Sequence, residues 1–286
     1  MFAVTAAQGR TGAATADALL RLGEKVRVLV RTEAQAERWQ KRHAETVVLD
    51  LADTPALTKA FTGVAGAYLV VPPNPKAADV VADRVAFFER VVAAVRAAKL
   101  QRAVLLSCIG AQHPSGTGAT VALHRAEALL KDATPVVTHL RAATFLENWA
   151  SQLLPALDSG ELKSHVPAHT KFLQVGAHDV GEAAARALLD VHKGVKVVEL
   201  AGREPWSADD VAVAFAGLLG RPVKAVTAPP EDAAAALRAD GASESAVALA
   251  VEWFHAHARG HISFAHPHGY VRGTTALYDA LKPLMD

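Results

Sequence analysis

The sequence predicts an α/β protein in which helices cover both faces of a parallel sheet, with a smaller C-terminal α/β lobe. Short apolar runs alternate with segments of helical periodicity through residues 1–150, which is typical of doubly wound parallel sheets. The first strand, helix and second strand follow one another directly from the N-terminus. Over residues 151–286 the pattern is looser, so we expect a smaller lobe there, packed on the core.

Composition limits the classes of protein to which the chain can belong. The 286 residues carry a net charge of +1, and 51% of them are hydrophobic. Such a balance provides no field that would attract nucleic acid or an acidic membrane. The single cysteine, Cys108, permits no internal disulfide bond, and no apolar run has the length of a membrane span. Because the N-terminus resembles a strand rather than a signal peptide, we expect a soluble, cytoplasmic protein.

The first strand–helix–strand unit predicts a dinucleotide site. We expect a strand at residues 2–5, a helix at 13–22 and a second strand at 25–30. The turn before the helix resembles a glycine fingerprint with the spacing G-x-x-G-x-x-G, and its residues are Ala6, Ala7, Gln8, Gly9, Arg10, Thr11 and Gly12. A dinucleotide pyrophosphate must approach the backbone of such a turn and the N-terminus of the next helix. A purely structural turn is the alternative, but the position between strand and helix favours binding.

Arg31, at the end of the second predicted strand, indicates which dinucleotide binds. An acidic residue there would bind the 2′-hydroxyl of NAD, whereas an arginine nearby accommodates the 2′-phosphate of NADP. A guanidinium can hold a phosphate through two parallel hydrogen bonds. The sequence therefore favours NADP(H) over NAD(H), with a solvated charge at a strand end as the alternative interpretation.

The following elements extend the same sheet, with a strand order that we expect to begin 3-2-1-4-5. They alternate as helix 33–43, strand 46–49, helix 55–61, strand 66–71, helix 76–99, strand 102–106, helix 117–132 and strand 135–140. Ligands of parallel sheets bind outside the carboxyl ends of the strands. We therefore expect the cofactor beside the residues that follow these strands, which are Asp50, Leu51, Val71, Pro72, Pro73 and Ser107.

Elements of the C-terminal half are predicted from shorter patterns. They are a strand at 172–175, a helix at 179–191, a strand at 195–200, a helix at 208–219 and helical segments at 231–258 and 274–284. Ser207 is suited to cap the helix at 208–219, as Asp53 is for the helix at 55–61. A substrate would lie in the cleft between this lobe and the core.

Five segments resemble, in order, those of the NmrA-like group of atypical short-chain dehydrogenases. They are residues 4–12 (V-T-G-A-T-G-x-x-G), 28–31 (the second strand), 140–149 (L-R-P-x-x-F-x-E-N), 179–185 (D-(I/V)-(G/A)-x-x-A-A) and 200–207 (L-x-G-x-x-x-x-S). The resemblance implies an NAD(P)-binding Rossmann fold. It also implies one of two activities: a reductase of quinones, dyes or phenylpropanoids, or a redox sensor that binds a protein partner. Ala6 replaces the first glycine, and Ala142, expected beside the cofactor, replaces a proline.

Catalytic residues are less evident. Ordinary short-chain dehydrogenases carry Tyr-x-x-x-Lys on the helix after the fifth strand, with a serine at the end of that strand. The chain keeps Ser107, but no tyrosine lies between Tyr68 and Tyr270. His124 falls where the resemblance would put the lysine, so it could hold the nicotinamide ribose or transfer a proton; an ordinary helix histidine is the alternative. Residues 278–282 match Tyr-x-x-x-Lys, but they lie near the C-terminus, far from the fifth strand, so we interpret the match as coincidence.

Other reactive side chains support simpler interpretations. The C-terminal half is rich in histidine: His255, His257, His261, His266 and His268. Because no cysteine accompanies them and their spacing does not converge on one point, we interpret them as solvated loop residues and expect no metal site. Cys108 is interpreted as an inert core thiol rather than a redox sensor.

Three functions remain open from the sequence. The first is an NADPH-dependent reductase of a quinone-like or other flat apolar acceptor, with His124 and Ser107 as catalytic residues and Phe145 and Trp149 against the substrate. The second is a non-catalytic dinucleotide sensor that acts through a protein partner, which the missing Tyr/Lys pair favours. The third is a scaffold that no longer binds nucleotide, which Ala6 suggests. The sequence does not indicate an oligomeric state.

Overall fold

The computed structural model of the chain describes residues 1–285. Its strands are β1 (Phe2–Val4), β2 (Val26–Val30), β3 (Glu45–Val48), β4 (Gly66–Leu69), β5 (Arg102–Cys108), β6 (Val136–Ala142), β7 (Thr144–Phe145), β8 (Glu161–Ser164), β9 (Gln174–Val175), β10 (Gly194–Ala201), β11 (Lys224–Thr227) and β12 (Val271–Arg272). Its α-helices are α1 (Arg10–Arg21), α2 (Glu33–Gln40), α3 (Thr54–Phe61), α4 (Val80–Ala97), α5 (Val121–Leu130), α6 (Leu153–Ser159), α7 (Ala177–Leu189), α8 (Ala208–Leu219), α9 (Pro230–Ala239), α10 (Glu244–Ala258) and α11 (Leu277–Leu281). Short 3-10 turns occupy Gly118–Thr120, Leu146–Gln152 and Lys282–Leu284.

Eight of these strands form one parallel sheet in the order β12-β10-β6-β5-β4-β1-β2-β3. The predicted α/β class and the predicted start 3-2-1-4-5 are both confirmed. Strand β1 lies where the order reverses, with Val4 paired to Val28 of β2 on one side and to Tyr68 of β4 on the other. A ligand crevice is expected outside the carboxyl end of such a strand.

Two apolar clusters lie on the two faces of the sheet. One includes Leu19 of α1 and Val180 of α7, and the other includes Phe61 of α3 and Phe88 of α4. Because helices cover both faces, all three residues of β1 are buried. The continuous apolar runs of the sequence are explained by this arrangement.

The motif at residues 179–185 holds the second half of the chain against the first. A side chain at Gly181 would overlap Ala14, so only glycine allows α7 to pack this closely on α1. The Asp179 carboxylate accepts the backbone N–H groups of Thr274 at 3.0 Å and Thr275 at 3.1 Å. Helix α7 and the segment after β12 are thereby fixed against the core.

The second half of the chain contributes both to the sheet and to a lobe. Strands β10 and β12 extend the central sheet. A third apolar cluster, with Leu146, Leu162, Val211 and Phe215 among its members, joins α8, β8, β11 and α11. Residues after 150 thus contribute two strands to the central sheet. A boundary between core and lobe at residue 150 stays a prediction.

Helix α10 packs over the carboxyl edge of the core. Its cap residue Ser243 donates its backbone N–H to the carbonyl of Pro75 at 2.8 Å. Ser245 accepts the N–H of Val80, the first residue of α4, at 3.1 Å. The lobe is thus attached to the segment that follows β4.

Several predicted elements are shorter in the structure. The helix expected at 76–99 begins at Val80 because Asp79 caps it, accepting the N–H of Ala82 at 2.9 Å. The helix expected at 231–258 is two helices, because Gly241 has a φ of 80° and Ser243 starts a new one. The predicted caps Asp53 and Ser207 are confirmed. Within residues 1–285, no helix combines the length and the apolar character needed to cross a membrane.

Candidate active site

The turn after β1 forms a cradle of small residues at the start of α1. Gly9 caps the helix without a side-chain hydrogen bond, and the first helical turn carries no acidic residue. A side chain at Gly12 would overlap the carbonyl oxygen of Ala6. The free N–H groups and positive end of the helix therefore face a position that suits a pyrophosphate.

Ala6 keeps the backbone conformation that a glycine normally provides. Its φ is 52°, in the left-handed region, where an L-residue is strained by roughly 1–2 kcal/mol. The N–H of Gly9 still donates to the carbonyl of Ala6 at 2.8 Å, which closes the turn. Ala6 therefore strains the turn but leaves it closed, and the small residues allow a dinucleotide to approach its backbone.

Arg31 lies next to this cradle. It is exposed immediately after β2 and forms no ion pair with any residue in 1–285. Gln35 links the region: its side chain accepts the backbone N–H of Arg31 at 2.9 Å, and its carbonyl accepts from Gln8 at 3.4 Å. A guanidinium with no internal partner is well suited to a phosphate.

The ends of the neighbouring strands lie at the same edge of the sheet. Thr5 joins two of them, because its hydroxyl donates to the carbonyl of Tyr68 at 3.0 Å and accepts the N–H of Val70 at 3.1 Å. Asp50, after β3, is exposed, and its carboxylate accepts the N–H of Ala52 at 2.9 Å. The predicted cofactor residues after β3 and β4 are therefore brought to one edge, and their contacts with a dinucleotide stay predictions.

A cavity of about 650 Å³ opens beside this edge, between the ends of β4, β5 and β6 and helix α10. Most of its lining is apolar, including Leu106, Leu123, Leu249, Trp253 and Phe254. Six of the residues singled out from the sequence line it: Thr11, Val71, Pro73, Ser107, Ala142 and Phe145. Thr11 belongs to α1, so the cavity adjoins the dinucleotide cradle.

Ser107 is part of a buried ionic network. Its hydroxyl donates to Oε1 of Glu127 at 2.6 Å. Arg141 donates to the same carboxylate twice, from Nε at 2.9 Å and from Nη2 at 2.7 Å. Burial opposes ionisation, but the hydrogen bonds from Arg141, His139 and Ser107 hold the pKa of Glu127 at about 2. The Ser107 proton is committed to this carboxylate, and a catalytic role for Ser107 stays a prediction.

His124 lies on the side of α5 next to the segment that follows β5. Its Nδ1 is 2.8 Å from the carbonyl oxygen of Ala111. Since a carbonyl only accepts, this nitrogen carries the proton. Thr120 and Leu123 of the same region line the cavity, and His124 is not among the lining residues. The hydrogen bond from His124 holds the segment around Ala111 against α5. A contact between His124 and the nicotinamide ribose stays a prediction.

Trp149 differs from the expectation. The 3-10 turn after β7 directs its indole to the lobe, where Nε1 donates to Oε1 of Gln174 at 2.7 Å. It packs against the third apolar cluster rather than lining the cavity. Asn148, its neighbour in the sequence, lines the cavity together with Phe145.

The sequence analysis missed most of the other cavity residues, and among them are Arg84 on α4 and Trp253 and Phe254 on α10. The two aromatic rings meet edge to face, with centroids 5.4 Å apart. Arg84 carried a signal, because it falls between Val80 and Phe88 on the buried face of α4 at the helical spacing of four. A charge in that register is unusual for a core-facing stripe.

The remaining reactive side chains are largely inert. Burial raises the pKa of the Cys108 thiol to about 11, so it is neutral at physiological pH. His257 corrects the expectation of a solvated histidine, since it is buried in α10 with its ring centroid 4.0 Å from that of Trp253. Burial lowers the pKa of His257 to about 4. Among residues 1–285, no group of three or more His, Cys, Asp or Glu side chains is placed to hold a metal ion.

The chain is similar in sequence and in structure to several known reductases. Quinone oxidoreductase 2 of Escherichia coli (strain K12) is 26% identical over 243 residues, covering 84% of this chain and 82% of that protein. The NAD(P)H azoreductase of Xenophilus azovorans is 24% identical over 220 residues, with coverages of 77% and 74%. The crystal structure of the Escherichia coli NADPH-dependent quinone oxidoreductase complexed with NADPH superposes with a TM-score of 0.82 at 24% identity, covering 100% of both chains. Triphenylmethane reductase of Citrobacter sp. complexed with NADP(H) gives 0.82 at 20% identity, covering 99% of this chain and 100% of that one. The NmrA-like family model matches residues 1–270, and the chain belongs to that family.

Proposed function

We propose that the protein is an NADPH-dependent reductase of a flat, apolar, quinone-like acceptor. The observation that carries the proposal is the apolar cavity of about 650 Å³ that shares Thr11 with the dinucleotide cradle. A ring held in this cavity would lie beside the reactive end of a dinucleotide bound across the strand ends. The reductase names of the relatives support the same chemistry.

The choice of cofactor rests on the cradle and on Arg31. The small-residue turn and the uncapped start of α1 suit the pyrophosphate, and the free guanidinium of Arg31 suits a 2′-phosphate. Both structural relatives described above are complexes with NADPH or NADP(H). These features support NADPH rather than NADH as the preferred reductant.

The bound cofactor would supply a hydride, which with one proton from water converts a quinone to a hydroquinone. The residues of the chain position the acceptor: Phe145, Trp253 and Phe254 offer aromatic surface, and the apolar lining excludes water. The oxygens of a hydroquinone exchange protons readily with water. No dedicated protein acid is therefore needed for this class of acceptor.

Tyr68 shows why an alcohol–ketone reaction is a poorer fit. Its side chain is fully buried in β4 beneath α1. Burial raises the pKa of Tyr68 above its usual value. A hydroxyl in that position does not reach the cavity, and the catalytic tyrosine of ordinary short-chain dehydrogenases has no counterpart on α5. This favours an acceptor that the cofactor can reduce without a tyrosine acid.

The test combines NADPH oxidation against a panel of neutral quinones, including benzoquinone and menadione, with a binding titration of NADPH. We expect turnover with quinones and tighter binding of NADPH than of NADH. Leu249→Arg puts a charge into the cavity lining and should abolish turnover while NADPH binding remains. Binding of NADPH without turnover of any quinone would instead support the dinucleotide sensor and refute the reductase.

A further inference from the structure

Arg84 brings a positive charge into a cavity that otherwise lacks charge. It lies in the second turn of α4, in register with the buried Val80 and Phe88. Among the residues in 1–285 that line the cavity, it is the only one with an ionisable acidic or basic side chain apart from the thiol of Cys108. The other polar lining residues are hydroxyls and amides: Thr11, Asn74, Ser107, Thr120, Thr144 and Asn148.

The guanidinium has little to bind within the protein. Nη1 donates to the carbonyl oxygen of Ala119 at 3.3 Å. Nε is buried without an acceptor. Arg84 forms no ion pair with any carboxylate of residues 1–285. The adjacent carboxylate, Asp83, instead accepts from the side-chain amide of Asn74 at 3.1 Å.

Nearby groups do not supply the missing negative charge. Asp83 and Cys108 are both close enough to interact electrostatically with Arg84, but the Asp83 carboxylate forms no ion pair with Arg84 and lies outside the cavity lining. Burial raises the pKa of the Cys108 thiol to about 11. It is therefore uncharged at neutral pH. Burial lowers the pKa of Arg84, yet arginine starts so high that it remains protonated. The cavity thus holds a cation without a counter-ion.

Such an arrangement is unfavourable unless a ligand completes it. A partly buried charge loses hydration, and the loss is recovered only when an opposite charge or good acceptors meet it. None of the hydroxyl and amide oxygens of the lining accepts a hydrogen bond from Arg84, and the Leu, Phe and Trp side chains cannot accept one. The nitrogen Nη2 donates to no acceptor within residues 1–285 and remains for a ligand.

We propose that Arg84 makes this cavity selective for acceptors that carry an anionic group, such as a sulfonate or carboxylate, on a flat aromatic ring. The inference rests on the proposed function, since it names the acceptor class of the same site. The ring would pack against Phe145 and Trp253, and the acidic group would form a charged hydrogen bond with Arg84. Neutral quinones would enter the cavity without that bond.

The phosphates of the dinucleotide have other partners. The pyrophosphate is served by the start of α1, and a 2′-phosphate by Arg31 after β2. Arg84 belongs to α4 and contacts the 3-10 turn at Gly118–Thr120, which packs on α10. Its charge therefore lies on the lobe side of the cavity, where an acceptor would bind.

The test measures binding to protein saturated with NADP⁺, so that no turnover is required. The probes are anthraquinone-2-sulfonate and its neutral counterpart 2-(hydroxymethyl)anthraquinone. We expect the sulfonate to bind the wild-type protein about 10- to 100-fold more tightly, the value of one charged hydrogen bond. Arg84→Met should remove this preference and leave the affinity for the neutral probe unchanged, and Arg84→Lys should keep part of it.

A matched control is available on the same helix. Arg90 is exposed on α4 and does not line the cavity, so Arg90→Met should leave both affinities unchanged. Arg84→Met should unfold at the same temperature as the wild type or higher, because an uncompensated charge has been removed. If Arg84→Met does not fold, Arg84→Lys and Arg84→Gln provide the same comparison.

Three results would overturn the inference. They are equal affinity of the two probes for the wild type, equal weakening of both probes in Arg84→Met, and weakening of NADP⁺ itself. The first would remove the selectivity, the second would show a structural role, and the third would assign Arg84 to the cofactor. Failure of the proposed function is distinguishable, because it would appear as absence of NADPH oxidation with every quinone while the binding preference is intact.

Discussion

Replacement of Arg141 by methionine should strongly destabilise the protein at neutral pH. Arg141 donates two hydrogen bonds to Glu127, and its Nη1 lies 3.6 Å from Glu199. The substitution leaves two buried carboxylates, Glu127 and Glu199, without their arginine partner. Loss of one partner of a buried ion pair typically costs about 3–5 kcal/mol.

The pKa of Glu127 gives an independent magnitude. A fall from 4.5 in the unfolded chain to about 2 in the folded protein corresponds to about 3 kcal/mol of unfolding free energy at neutral pH. Because the folded-state pKa is the lower one, this contribution is present above pH 4.5 and is lost as the pH falls from 4.5 through about 2. The shift combines the effects of Arg141, His139 and Ser107, and the hydrogen bonds from Arg141 are the largest contribution that lowers the pKa.

The dependence of stability on pH should differ in the variant. Without Arg141, only His139 and Ser107 oppose the effect of burial, so the pKa of Glu127 should rise above its value in the wild-type protein. Protonation of Glu127 removes the unpaired buried charge from the variant. The difference in unfolding free energy between the variant and the wild type should therefore shrink as the pH falls below the raised pKa. Adding Glu127→Gln to Arg141→Met should recover part of the loss at neutral pH.

Urea unfolding at several pH values measures these effects. Arg238→Met is the matched control, because Arg238 donates to Glu244 with a similar two-bond geometry at 2.7 and 2.8 Å but on the surface. Water screens that pair, so its loss should leave the unfolding free energy almost unchanged. A loss for Arg141→Met below about 1 kcal/mol, or one that does not vary with pH, would refute the reasoning.

Three further predictions concern binding and catalysis. Arg31→Ala should weaken NADPH binding by about 10-fold or more and barely change NADH binding, since one charged hydrogen bond is worth about 1.5–3 kcal/mol; equal losses in titrations of both cofactors would assign Arg31 to structure. Phe145→Ala should raise the KM for quinones about 10-fold through lost ring contact, whereas Trp149→Ala should leave KM unchanged, and the same effect for both would contradict the cavity assignment. His124→Ala removes the hydrogen bond to the carbonyl of Ala111 after β5, so in steady-state and binding assays it should lower kcat more than NADPH affinity; no change in either would make His124 an ordinary helix residue.

Local patterns in the sequence were enough to predict the core. The turn from Ala6 to Gly12 and the strand order around β1 follow from short runs whose side chains pack near their own position in the chain. Phe145 was placed at the edge of the sheet because it comes soon after the sixth predicted strand, and it lines the cavity there; its contact with a substrate stays a prediction. Each of these depends on residues close in sequence.

The wall formed by the lobe could not be predicted in this way. Trp253 and Phe254 reach the cavity only because α10 crosses the segment before α4, which no local pattern specifies. Trp149 was expected at the cavity with Phe145, but the 3-10 turn that follows β7 directs its indole to Gln174 in the lobe. The charge of Arg84 within an apolar stripe is visible in the sequence, but its position in the cavity required knowledge of which elements meet α4.

Because α10 is attached to the segment after β4, the proposed cofactor site and the proposed acceptor site are formed by different parts of the chain. The cradle and Arg31 belong to the first strand–helix–strand unit, whereas Leu249, Trp253 and Phe254 belong to one helix fastened at its start by Ser243 and Ser245. Substitutions along that helix can reshape the acceptor wall while the reductant remains the same. Under the proposed function, the acceptor wall could therefore change without any change in the turn that holds the dinucleotide.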